Sequence, residues 1–159
     1  MRAASLILGL VLASHSPSQS TTPFDFRRAD NEALIDILRD LAVEGAYAPN
    51  ETEIGAFIVR KTDGELSVLL WPRTYARRSA RYDGAIPPGV VAMAHTHPLH
   101  FPRPSRGDVE VARRVGLPSY VVSRWEIYVI DPSSSDPIAL FAHDFWTRSR
   151  RSKTGLLTH

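Results

Sequence analysis

The chain has 159 residues with no cysteine, and its 19 basic and 17 acidic residues leave a formal net charge of +2. This length suits one domain, and a hydrophobic content of 43% excludes wholesale disorder. Without cysteine there is no disulfide, thiolate metal site or thiol nucleophile, so any metal must be held by histidine and carboxylate. The small net charge gives little support to nucleic-acid binding.

The N-terminal segment predicts export. Arg2 precedes an apolar run over residues 3–13, and a Ser/Thr/Pro-rich stretch follows. One positive charge and about ten apolar residues are the layout of a secretory signal peptide. A membrane span needs about 20 apolar residues, so no stable anchor is expected. We expect residues 1–20 to be a signal peptide and linker and the protein to be secreted or periplasmic. A buried N-terminal helix is the alternative.

The next segments predict a helix and a hairpin. Between residues 29 and 43 apolar side chains recur at three- and four-residue spacing, which puts them on one helical face. Gly45 is expected to end this helix. Residues 53–60 and 65–71 read as two strands, joined by a tight Asp-Gly hairpin turn.

The second half of the chain predicts further strands and one helix. The strand-like segments are residues 90–95, 120–125, 126–130 and 138–145. A helix is expected over residues 108–115, and Trp71 and Trp125 are expected in the core. This order of elements indicates an α+β (mixed α/β) fold in one domain over residues 24–147. Residues 148–159 are expected to be a basic, flexible tail.

Two histidines and an aspartate form the pattern with chemical content. His95 and His97 alternate at the end of an apolar strand, so their imidazoles point to the same face. Asp108 follows in the first turn of a helix that Ser105 is placed to cap. Two neutral imidazoles and a carboxylate, with one position left open, are typical ligands of catalytic Zn²⁺. Bound water then reaches a pKa of about 7, and a nearby carboxylate is needed as general base. The alternative is a core histidine and an aspartate that complements the helix dipole.

The same stretch carries a family resemblance. The chain reads His95-Thr96-His97-Pro98 and later Pro104-Ser105-Arg106-Gly107-Asp108. This spacing resembles the JAMM motif of the JAB/MPN metallopeptidase family, and the resemblance extends over about residues 30–145. It implies a JAB/MPN-like (cytidine-deaminase-like) single domain, with a curved β-sheet flanked by helices. It also implies that His95, His97 and Asp108 bind zinc and that Ser105 stabilises the tetrahedral intermediate.

The family resemblance also implies a glutamate early in the first strand, acting as general acid and base. Glu53 is the candidate and Glu51 is the alternative. They flank Thr52, which stands where the commonest form of the family has its glutamate. Because strand side chains alternate, a shift of one residue would turn a carboxylate away from the metal.

Three function hypotheses follow. The first is an exported zinc metallopeptidase or isopeptidase-like hydrolase that acts on a protein or peptide substrate. The second is a non-catalytic partner-binding module on the same fold. The third is a nucleic-acid-binding protein that uses the arginine-rich stretches, of which the first contains Arg73, Arg77, Arg78 and Arg81; this cluster could also grip an acidic partner. The oligomeric state is not predicted.

Overall fold

A computed structural model describes residues 25–27, 31–46, 52–74, 79–97 and 102–142. These residues contain two helices, α1 (Glu32–Ala46) and α2 (Arg106–Val115). They also contain six strands, namely β1 (Gly55–Arg60), β2 (Leu66–Leu70), β3 (Val90–Thr96), β4 (Ser119–Val122), β5 (Glu126–Ile130) and β6 (Ile138–Ala142). The predicted α+β class is confirmed.

Some predictions lie outside the described residues. These are the signal peptide and linker at residues 1–20, the basic tail at residues 148–159, and the alternative glutamate, Glu51. Export therefore stays a prediction. None of the helices in the described segments is long and apolar enough to cross a membrane.

The six strands form one mixed sheet in the order β2-β1-β3-β4-β5-β6. The central pair β3 and β4 is parallel, and every other neighbouring pair is antiparallel. A parallel pair needs a crossover connection, and α2 lies within the segment that links β3 to β4. The carboxyl ends of both central strands therefore meet at the same edge of the sheet, next to the start of α2.

The sheet is covered by a different helix on each face. The larger core packs α1 against one face through Leu34, Leu38, Leu41, Ala42, Ala56, Ile58, Ala92, Ala94, Tyr120, Val122, Ile127 and Val129. The smaller core holds α2 against the opposite face through Ala112, with Val121, Tyr128 and Ile130 of the sheet. Because strand side chains alternate, β3 buries alanines against α1 and directs Met93 and His95 to the α2 face.

Gly45 does not end the first helix, which runs on to Ala46. A Cβ atom at Gly45 would lie 2.7 Å from the side chain of Thr96. Since real Cβ atoms do not come so close, the glycine lets α1 approach β3. The expected helix stop was wrong because the glycine serves packing between elements rather than a C-cap.

Trp125, which was predicted in the core, is 48% exposed, so that prediction was wrong. Strand β4 ends at Val122 rather than at residue 125. The hydroxyl oxygen of Ser123 accepts hydrogen bonds from the backbone N–H groups of Trp125 and Glu126 at 3.2 and 2.9 Å. This local bonding turns the chain between β4 and β5 and leaves the indole at the surface.

Asp131 links the turn after β5 to the segment at residues 25–27. Its carboxylate accepts hydrogen bonds from the hydroxyl and the backbone N–H of Ser133 at 2.7 and 2.9 Å. Arg27 also donates to it and forms an ion pair. The bonds from Ser133, and then Arg27, hold the pKa of Asp131 below its ordinary value.

Candidate metal centre

Three side chains from β3 and α2 converge at the carboxyl end of the central strands. The Nε2 atoms of His95 and His97 lie 3.1 Å apart. Asp108 Oδ1 lies 3.2 Å from His95 Nε2, and the other carboxylate oxygen, Oδ2, lies 3.4 Å from His97 Nε2. All three side chains are less than 20% exposed. The predicted ligand residues therefore lie together in a sheltered cluster.

The spacing of these atoms can be compared with that of the tetrahedral ligands of zinc. Zinc–nitrogen bonds of about 2.0–2.1 Å place tetrahedral ligands about 3.3–3.4 Å from one another. The two histidine nitrogens are 3.1 Å apart, close to that value, and each of them contacts a different oxygen of Asp108. Imidazole nitrogen and carboxylate oxygen are also the donor atoms that zinc takes in proteins without cysteine. The donor atoms present suit such an ion, and the group of residues whose ligand atoms are near enough to share one is Glu53, His95 and His97.

A capping box holds Asp108 in place at the start of α2. The Ser105 hydroxyl oxygen accepts a hydrogen bond from the Asp108 N–H at 3.2 Å, and the Ser105 N–H donates to Asp108 Oδ2 at 2.6 Å. The predicted cap is confirmed, with α2 beginning at Arg106. The Asp108 carboxylate therefore serves the helix N-terminus and the histidines together.

Glu53 lies beside the histidines, although it precedes β1 rather than belonging to it. Strand β1 begins at Gly55, which pairs with His95, and continuing this register brings Glu53 opposite His97. Ligand atoms of Glu53, His95 and His97 all lie within 4.8 Å of one another. Two hydrogen bonds of 2.9 Å between Ile54 and Thr96 extend the pairing to this point.

The two carboxyl groups differ in their electrostatics. Burial raises the pKa of Glu53 above its ordinary value, against the opposing influence of His95, His97 and a hydrogen bond from the Ala80 backbone. Burial also acts to raise the pKa of Asp108, but hydrogen bonds from both imidazoles and from the Ser105 backbone hold it far below its ordinary value. The same surroundings therefore favour the ionised form of Asp108 and, through burial, disfavour the ionised form of Glu53.

A cavity of about 420 Å³ opens next to this cluster, on the α2 face of the sheet. Glu53, His95 and Asp108 are among the residues that line it. Its walls include three aromatic rings that contact one another, those of Phe57, Trp71 and Tyr82. The sequence analysis missed this cavity and assigned Trp71 to the core. Strand alternation does predict Phe57 on the face of Glu53, but Tyr82 lies in an irregular connection that carries no periodic signal.

The arginine cluster before β3 is partly paired within the chain. Arg73 donates to Glu44 at 3.1 Å and Arg81 donates to Asp83 at 2.5 Å, both in exposed ion pairs. Arg77 and Arg78 lie outside the described residues. The described arginines of this cluster are therefore engaged with neighbouring acids.

Comparisons with known proteins add little to this geometry. No protein-family model matches the chain, and no curated protein matches it. It is similar to the solution structure of a protein from Salinibacter ruber, with 23% sequence identity over 68% of this chain and 95% of that chain. The TM-score of 0.37 is too low for this likeness to carry an argument about fold or function.

Proposed function

We propose that the protein is a zinc-dependent hydrolase of the JAMM type, on a JAB/MPN-like fold, that cleaves a peptide or isopeptide bond. One observation carries the proposal. The nitrogens of His95 and His97 and the carboxylate of Asp108 lie 3.1–3.4 Å apart, with Glu53 beside them, and the group borders a cavity. A zinc ion held by those three residues supplies a Lewis acid that polarises a carbonyl and activates water.

Glu53 would move the proton during hydrolysis. Its carboxylate takes a proton from the attacking water and delivers it to the amine that leaves. A carboxyl pKa raised by burial brings the group closer to neutral pH, where both transfers are efficient. The extension of β1 by Ile54 fixes the Glu53 backbone beside the histidines.

Ser105 would serve the site and the helix cap together. The cap uses the hydroxyl oxygen as an acceptor for the Asp108 N–H. The hydroxyl proton has no acceptor within the described segments, so it is available to donate to the oxyanion that forms on the substrate carbonyl. Capping and oxyanion stabilisation therefore use different parts of one hydroxyl group.

Hydrolysis of a peptide library in ¹⁸O-labelled water tests the proposal. The library contains linear peptides and peptides branched at the lysine ε-amine, and new carboxyl ends are detected by the incorporated label. Zinc-loaded protein is expected to produce them, and Glu53→Gln is expected to retain zinc but lose about 10²-fold or more in rate. Glu65→Gln, an exposed carboxylate paired with Lys61 in the β1–β2 hairpin, is the matched control. Full activity of Glu53→Gln, or no cleavage by zinc-loaded protein, would overturn the proposal.

A further inference from the structure

Residues of the candidate metal centre and apolar residues on the same strands line one cavity. Glu53, which belongs to the candidate metal centre, precedes β1, and Phe57 follows on the same face of that strand. Along β3, His95 is preceded by Met93 on the same face. Phe57 and Met93 are directly paired in the β1–β3 register and are almost fully buried. The floor next to the reacting groups is therefore apolar.

Helix α2 also contributes one residue of the candidate metal centre, followed by apolar residues, to the cavity lining. Asp108 lies at the centre, and Val111 and Val115 follow at three- and seven-residue spacing, which places all three on one helical stripe. Each of them lines the cavity. The core contact of α2 is made by Ala112 on a neighbouring stripe, so these valines are not needed to hold the helix to the sheet.

The three aromatic rings form a side wall that is already packed. Phe57 meets Trp71 and Tyr82 edge to face, with ring centroids 5.2 and 4.8 Å apart. The Trp71 ring lies over Gly55, where a Cβ atom would come within 2.1 Å of it. The rings therefore hold a fixed surface, which lowers the entropic cost of binding a further apolar group.

Apolar side chains at the rim stay exposed. Ile86 is 45% exposed and Val111 is 37% exposed, and both line the cavity. The arginines that line it, Arg81 and Arg114, are exposed, and Arg81 already pairs with Asp83. The remaining walls combine the apolar side chains described above with the hydroxyls of Ser79, Tyr82 and Ser119. The apolar part of this lining favours an apolar occupant.

We propose that this cavity binds a bulky apolar side chain of the substrate, aromatic or long aliphatic, adjacent to the scissile bond. The inference rests on the proposed function, since it assigns the substrate class of the same site. We place this side chain next to the scissile bond because the candidate ligands and the apolar residues Phe57 and Met93 line the same cavity. A volume of about 420 Å³ accommodates one such side chain with its flanking backbone.

Binding to the metal-free protein tests the cavity without turnover. The full chain in excess chelator is titrated with N-acetyl-L-phenylalanine methylamide and, separately, with N-acetyl-L-alanine methylamide. Binding is followed by NMR through the indole N–H resonance of Trp71, which is assigned by its loss in Trp71→Phe. The phenylalanine probe is expected to bind at least about tenfold more tightly and to shift this resonance. Tyr82→Ala removes one ring, and Val111→Phe fills the cavity from an exposed position; both should abolish the tenfold difference. Trp125→Ala, which removes an indole remote from the cavity, should keep it.

The two proposals fail separately. Equal binding of both probes, or a difference that survives Val111→Phe, would overturn the inference even if the protein hydrolyses peptides. A discriminating cavity in a zinc-loaded protein that cleaves nothing would overturn the hydrolase instead. If both hold, the labelled products of the peptide library will carry a bulky apolar residue next to the cleaved bond, and Val111→Phe will shift that preference toward small residues.

Discussion

Replacing Thr96 by valine tests how the protein holds Glu53 beside His95 and His97. The hydroxyl oxygen of Thr96 accepts a hydrogen bond from the Ile54 N–H, and the Thr96 N–H donates to the Ile54 carbonyl, each at 2.9 Å. Valine has a similar shape but no hydroxyl, so it keeps the second bond and removes the first. The Ile54 N–H then loses its acceptor in the interior.

The cost follows from the burial of both residues. Ile54 is 4% exposed and Thr96 is 3% exposed, so water does not replace the lost acceptor. A buried donor left without a partner destabilises a protein by about 1–3 kcal/mol. With a loss of about 2 kcal/mol and a urea m-value of about 2 kcal/mol/M, the unfolding midpoint falls by about 1 M.

Urea unfolding and hydrolysis are the two assays. We expect Thr96→Val to lower the midpoint and the hydrolysis rate while zinc stoichiometry stays the same, because the ligands are untouched and Glu53 is less firmly held. Thr96→Ser is the control: it loses a methyl group, worth about 0.8 kcal/mol, but keeps the hydroxyl and so should keep the rate. A wild-type midpoint for Thr96→Val, or equal rates for the two variants, would refute this reasoning.

Three further outcomes are expected. Gly55→Ala should destabilise the fold by about 1–3 kcal/mol because the added Cβ would meet the Trp71 ring. Gly107→Ala adds a Cβ with only an ordinary contact at 3.5 Å and should raise the stability by about 0.5 kcal/mol. Equal urea midpoints for the two variants would contradict this reasoning. Ser105→Ala should lower stability by about 1 kcal/mol through the lost cap, and Ser105→Gly by only a few tenths, as thermal unfolding will report. Asp131→Asn should be less stable than wild type at pH 7, and the difference in stability should disappear below about pH 4. A carboxyl whose folded pKa is lowered stabilises the fold above its unfolded pKa, and this stabilisation is lost as the pH falls. A difference that does not change with pH would contradict this role of Asp131.

The grouping of His95, His97 and Asp108 follows from local rules that the sequence carries. Alternation in a strand puts two histidines on one face, and a serine three residues before an aspartate caps a helix. The structure brings the two local units together because α2 lies in the crossover from β3 to β4. The position of Glu53 depends on pairing between strands that are distant in the sequence. Its carboxylate reaches the histidines because Ile54 continues the β1–β3 register ahead of the first residue of β1.

The features that sequence reasoning missed depend on contacts between distant elements. Gly45 looked like a helix stop, but its role is set by Thr96, about fifty residues further along the chain. Trp125 looked like a core residue, but the hydrogen bonds of Ser123 turn it outward. The cavity combines two strands, a helix and an irregular connection, and no single periodic pattern describes its walls.

Zinc binding to the purified chain tests the central claim most directly. Equilibrium dialysis against Zn²⁺, with Co²⁺ absorption as a report of ligand geometry, is expected to give one ion per chain and a tetrahedral Co²⁺ spectrum. His97→Ala should abolish both, whereas Glu53→Gln should keep them, and affinity should fall at acid pH because histidine ligands must be neutral. A chain that binds no zinc, or that binds it equally well as His97→Ala, would contradict the account.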